Sequence, residues 1–122
     1  MQNNIKDIVK SYYHGVKTRN LSAVPLDSAL DFEGALVKTS GREAFEQVSA
    51  QMFEILKDVN VKLIAVDGDN AFATWDFVTS TPVGAIPICD HIHVQNGRIK
   101  TIRAYFDPRK LVELEAQSQA AS

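Results

Sequence analysis

The sequence predicts an α+β domain in which three N-terminal helices pack on a curved, mostly antiparallel sheet. Two observations predict it. The first half repeats apolar residues mainly at three- and four-residue spacing, and the second half alternates them across turn clusters. The helical segments also precede the strands instead of alternating with them, which gathers the helices on one face of the sheet. The 122 residues contain no linker, repeat or low-complexity stretch, so one domain is expected over 1–122, with the extreme C-terminal tail frayed.

Residues 5–19 read as the first helix. Ile5, Ile8, Val9, Tyr12, Tyr13 and Val16 form an amphipathic stripe, with Asn3 or Asn4 as cap and Asn20 as stop. Residues 21–31 read as a weaker second segment, with Ser22 as N-cap and Pro25 in its first turn. Phe32 to Lys38 is a short extended piece. Ser40 and Glu43 have the spacing of a capping box and open the third helix, whose apolar face includes Phe45, Val48, Met52, Phe53 and Leu56. Strands follow at 59–66 and 71–80, joined by the turn cluster Asp67-Gly68-Asp69-Asn70. A last hairpin, 86–95 and 98–106, turns at Asn96-Gly97, and a short polar helix follows Asp107.

Composition narrows the function. A net charge of -2 without a basic stripe gives no electrostatic case for nucleic acid. No apolar run is long enough to span a membrane, and the N-terminus lacks the pattern of a signal peptide. The single cysteine, Cys89, forms no internal disulfide. These features lead us to expect a cytoplasmic protein.

The candidate chemistry sits on the strands and the first helix. Asp90 shares a strand face with Ile88, Ile92 and Val94, because side chains two apart point the same way. A carboxyl on an apolar face must be paired, protonated or functional. Tyr12 lies in the helix stripe, and its neighbour Tyr13 exchanges roles with it if the helix is rotated. Asp76 alternates with Thr74 and Val78, while Trp75 and Phe77 face the other way. Either Asp76 faces the interior and the two aromatics form a convex interface, or the aromatics are core and Asp76 is solvated. Cys89, His91 and His93 share the face opposite Asp90; no fourth ligand is evident, so no metal is expected.

Several of these residues carry a resemblance. Tyr12, the helix start Gly41-Arg42-Glu43-Ala44, Asp90 ahead of Asn96-Gly97-Arg98-Ile99, and the ending Arg103-Ala104-Tyr105-Phe106-Asp107 resemble the cone-shaped NTF2-like superfamily. Within it the SnoaL-like and ketosteroid isomerase-like small proteins are most similar. The resemblance implies a pocket between the helices and the concave sheet face, and a homodimer through the convex face. It places Tyr12 and Asp90 at the isomerase's oxyanion-binding tyrosine and protonated aspartate. The isomerase's general base falls at Phe32, which cannot take a proton. Compared with limonene epoxide hydrolase, Asp76 matches one catalytic aspartate, but Thr74 and Ala104 stand at the positions of the arginine and the other aspartate. SnoaL-type cyclases need a single acid/base aspartate, a role open to Asp76 or Asp90.

The expected function is therefore cofactor-independent acid/base catalysis on a small hydrophobic carbonyl compound, isomerase- or cyclase-like. Tyr12 and Asp90 would bind the oxyanion and Asp76 would accept the proton. Val16, Phe32, Phe53, Val78, Ile88 and Tyr105 are expected to line the pocket. The alternative is a non-catalytic small-molecule-binding protein with the same pocket.

Overall fold

A computed structural model of the chain describes residues 4–121, with side chains through residue 117. The elements are α1 (Ile5–Lys17), β1 (Leu26–Glu33), β2 (Lys38–Ser40), α2 (Arg42–Phe53), β3 (Leu56–Asp67), β4 (Asn70–Thr79), β5 (Ala85–Gln95), β6 (Arg98–Tyr105) and α3 (Arg109–Ala121). The six strands form one sheet in the order β2-β1-β6-β5-β4-β3. Every pairing is antiparallel except β1 with β6, which run parallel. α1 packs over β3 and β4, and α2 over β1 and β2, so both cover the same sheet face. The core lies between them.

The α+β class holds, and the helices differ in position. Residues 21–31 form a tight turn and then β1 instead of a second helix. Leu26 and Leu30 are four apart, a spacing that suits a helix, and both are buried. Tertiary pairing with β6 decides otherwise, through an irregular register between Leu26 and Asp31. The third helix of the fold is instead the C-terminal α3. The fraying expected of the extreme C-terminus concerns side chains outside those described.

Local chemistry explains the remaining boundaries. Asn4 caps α1, its Oδ1 accepting from the Asp7 N–H at 2.8 Å; Asn3 lies outside the described residues. α1 closes against the 20–24 turn at Gly15, where an added Cβ would stand 2.6 Å from Val24 Cγ2. The expected capping box does not form. Gly41, at φ 92°, takes the N-cap of α2, and Ser40 Oγ instead donates to Asp31 Oδ1 at 3.1 Å. Arg42 ties α2 to the preceding crossover, donating to the carbonyls of Leu26 (3.2 Å) and Leu21 (3.3 Å). Among the described residues, no helix is long and apolar enough to cross a membrane.

Candidate functional site

β4 alternates strictly, with Ala71, Ala73, Trp75 and Phe77 buried and Phe72, Thr74 and Asp76 turned outward. The larger apolar side chains thus take the core, and this settles which way Asp76 points. Asp76 lies on the outer sheet face, where its Oδ2 stands 3.2 Å from Lys62 Nζ. It cannot meet Asp90, which faces inward from β5. The sequence expectation of Asp76 as an interior proton acceptor is corrected accordingly.

Asp90 is 1% exposed. Its Oδ2 accepts two hydrogen bonds, from Tyr13 Oη at 2.6 Å and from Trp75 Nε1 at 2.7 Å. No described residue donates to Oδ1, and no Lys, Arg or His side chain lies beside the carboxyl among the described residues. Burial pushes its pKa up to about 6, against the opposing pull of the Tyr13 and Trp75 hydrogen bonds. The group therefore titrates just below neutrality, where an acid/base residue is most useful.

Asp90 opens onto a small cavity between α1, α2 and the concave sheet face, with a volume of about 80 Å³. Its walls are mainly aromatic: Tyr12, Phe32, Phe45, Trp75, Phe77 and Phe106. Some of these rings pack together, with centroids 6.3 Å apart for Tyr12 and Phe45, 5.2 Å for Phe32 and Phe45, and 6.0 Å for Trp75 and Phe77. Tyr12 is 6% exposed. Its hydroxyl has no protein hydrogen-bond partner among the described residues. Burial, with the nearby Asp90 charge, raises the Tyr12 pKa well above the ordinary tyrosine value. Tyr12 is thus a hydrogen-bond donor that keeps its proton.

The cavity gathers some of the expected residues and leaves others out. Tyr12, Asp90, Val16, Phe32 and Ile88 line it. Val78 does not, because it shares the outward parity of Asp76. Phe53, at the C-terminal end of α2, packs at the margin of the core. Tyr105, at 60% exposure, belongs to the outer face. The hydrogen bond to Asp90 comes from Tyr13, with Tyr12 beside it in an edge-to-face contact at 5.0 Å. Trp75 and Phe45 join the site without being expected there. Their signals in the sequence are the apolar weight of the odd-numbered positions in β4 and the periodic face of α2. A second hollow of about 210 Å³ adjoins the cavity, sharing Ala104 and Phe106 and bearing the Glu33–Arg103 ion pair. On the outer face, His91 Nε2 and His93 Nδ1 lie 2.9 and 3.3 Å from Asn70 Oδ1.

Comparison with known proteins places this architecture. The SnoaL-like domain matches residues 9–102, well over half of the chain. The chain belongs to the SnoaL-like family. Solved structures share its NTF2-like fold. An NTF2-like protein of unknown function from Cytophaga hutchinsonii is 23% identical, with a TM-score of 0.81 over 92% of this chain and 97% of that one. A candidate polyketide cyclase from Sinorhizobium meliloti is 18% identical, with a TM-score of 0.73 over 81% and 94%. A protein of ketosteroid isomerase-like fold from Catenulispora acidiphila, solved in complex with trimethylamine, is 15% identical, with a TM-score of 0.73 over 83% and 85%. At such identities the likeness is one of fold. No curated protein matches the sequence. A shared fold does not fix the chemistry, which lies in the cavity's own residues.

Proposed function

We propose that this SnoaL-like protein is a cofactor-independent acid/base enzyme acting on a small hydrophobic carbonyl compound. The observation that carries the reading is Asp90, with one oxygen held by two donors and the other free in an apolar cavity. Asp90 Oδ1 takes a proton from the carbon next to the carbonyl. The Tyr12 hydroxyl donates a hydrogen bond to the oxygen that becomes negative. Asp90, now protonated, returns the proton to the same carbon or to another carbon of the enolate. Tyr13 and Trp75 act as positioning residues, fixing the carboxyl plane. This assigns to one aspartate the proton transfer expected of Asp76 from the sequence. The size of the cavity, about 80 Å³, favours substrates far smaller than a steroid.

The test is exchange of solvent deuterium into a small ketone such as acetone. Wild type should catalyse it. Asp90→Asn should abolish it, and Tyr12→Phe should lower kcat by roughly a hundredfold, as for an oxyanion donor. Tight ligand binding with no exchange would favour the non-catalytic binding reading, supported by Phe32 at the isomerase's base position.

We also propose a homodimer through the outer sheet face. Leu63, Thr74, Cys89 and Tyr105 lie in one row across four strands, and Ala65, Phe72, His91 and Arg103 in the next. Leu63 and Tyr105 are 60% exposed and Phe72 44%, an apolar patch suited to covering by a second copy. A monomer at micromolar concentration in sedimentation would overturn this. The exposed free thiol of Cys89 fits a cytoplasmic location, which fractionation would check.

A further inference from the structure

The cavity's chemistry says more about its occupant than a carbonyl compound requires. Three features meet in it. The first is a carboxyl with no cationic partner, buried deeper than any other acid among the described residues. Two neutral donors steady its Oδ2, but neither cancels its charge. The second is a lining that includes six aromatic residues. Ring faces carry negative potential and attract cations, most strongly when water is excluded. The third is size. The space beside Asp90 is about 80 Å³, against roughly 150 Å³ for a cavity that holds benzene, so a small group fits there best.

We propose that the cavity is a cage for a small alkylammonium cation, of the size of dimethylammonium or trimethylammonium. The ion's N–H donates to Asp90 Oδ1, the oxygen without a protein donor. Its methyl groups, which share the positive charge, lie against the faces of the surrounding rings. Dimethylammonium brings a second N–H, for which the unpartnered Tyr12 hydroxyl is an acceptor. A neutral molecule of the same size fills the space but leaves the carboxylate uncompensated. The packed rings of Phe32 and Phe45 narrow the space beside Asp90, which favours small amines. This inference uses the same cavity as the proposed activity but not its proton transfer, so alkylammonium ions would compete with carbonyl compounds.

The experiment is a titration of the full chain near pH 8 with dimethylammonium, trimethylammonium and acetone. It is followed by calorimetry and by the Trp75 indole N–H resonance, with potassium chloride at equal ionic strength as control. Wild type should bind at least one of the ammonium ions tenfold or more tightly than acetone. Asp90→Asn should lose that preference and still bind acetone. Acetone binding as tightly as both ammonium ions would overturn the proposal, while leaving the carbonyl reading intact. Full ammonium affinity in Asp90→Asn would overturn it as well. Binding of neither class would overturn both readings. The comparison among ligands in wild type needs no variant, so it stands even if Asp90→Asn folds poorly.

Discussion

Replacing Asp90 with asparagine probes the site through stability before any ligand is known. The Asp90 carboxyl has a folded-state pKa of about 6, against 3.8 for an ordinary aspartate. Below the ordinary value the carboxyl is protonated in both the folded and unfolded states, and burial carries no charge penalty. Between the two values the unfolded chain ionises while the folded chain holds its proton, so stability falls as pH rises. Above the folded-state value both are ionised and the penalty is complete. That separation, at 1.36 kcal/mol for each pH unit, amounts to about 3 kcal/mol of stability lost between acid and neutral pH. Asparagine never ionises, and its amide oxygen still accepts from Tyr13 and Trp75. Wild type should therefore lose about 2.5 kcal/mol relative to Asp90→Asn between about pH 4 and pH 8. Urea unfolding of both proteins across that range, at one protein concentration, measures the difference. Contributions from the surface pair Asp107–Arg109 are common to both and cancel. A difference that stays flat with pH would refute the reasoning, because Asp90 would then be neutralised by a partner or solvated. A difference of opposite sign would mean its charge is stabilised in the fold.

Three other outcomes follow from the same geometry. Tyr13→Phe removes one of the two hydrogen bonds that lower the Asp90 pKa, so its midpoint should rise above about 6, as read from the carboxyl carbon resonance. The variant should also lose more stability at pH 8 than at pH 4, because the lost bond is made to the charged form. Gly15→Ala places a methyl 2.6 Å from Val24 Cγ2, which should cost about 1–3 kcal/mol in urea unfolding despite alanine's better helix propensity. Phe72→Glu, on the outer face, should leave the fold intact in circular dichroism and shift sedimentation from dimer to monomer.

Much of this was legible locally. The stripe of Ile8, Val9, Tyr12, Tyr13 and Val16 marks both α1 and its buried face, because one helix side repeats every three to four residues. The hairpin turns follow from Asp67-Gly68-Asp69-Asn70 and Asn96-Gly97, where left-handed backbone suits glycine and asparagine. Asp90 was recognisable as buried from its neighbours Ile88, Ile92 and Val94, all of which are in the core. These are short-range properties, carried by residues close together in the chain.

Three features had to wait for the tertiary structure. Residues 26–30 carry a spacing compatible with a helix, and it is the strand's pairing with β6 on one side and β2 on the other that makes β1 extended. The parity of β4 was ambiguous because both faces carry polar and apolar groups. The core chose Trp75 and Phe77, whose burial removes more apolar area than the Thr74, Asp76 and Val78 face would. Tyr12 and Tyr13 lie side by side on one buried helix face, so periodicity cannot say which reaches Asp90. That depends on the rotation of α1 over β3 and β4, set by packing far along the chain. The sequence alone therefore determined the elements, the buried acid and its apolar surroundings. The tertiary structure decided which donors hold that acid and how little space remains beside it, because both are sums of long-range contacts that no local pattern encodes.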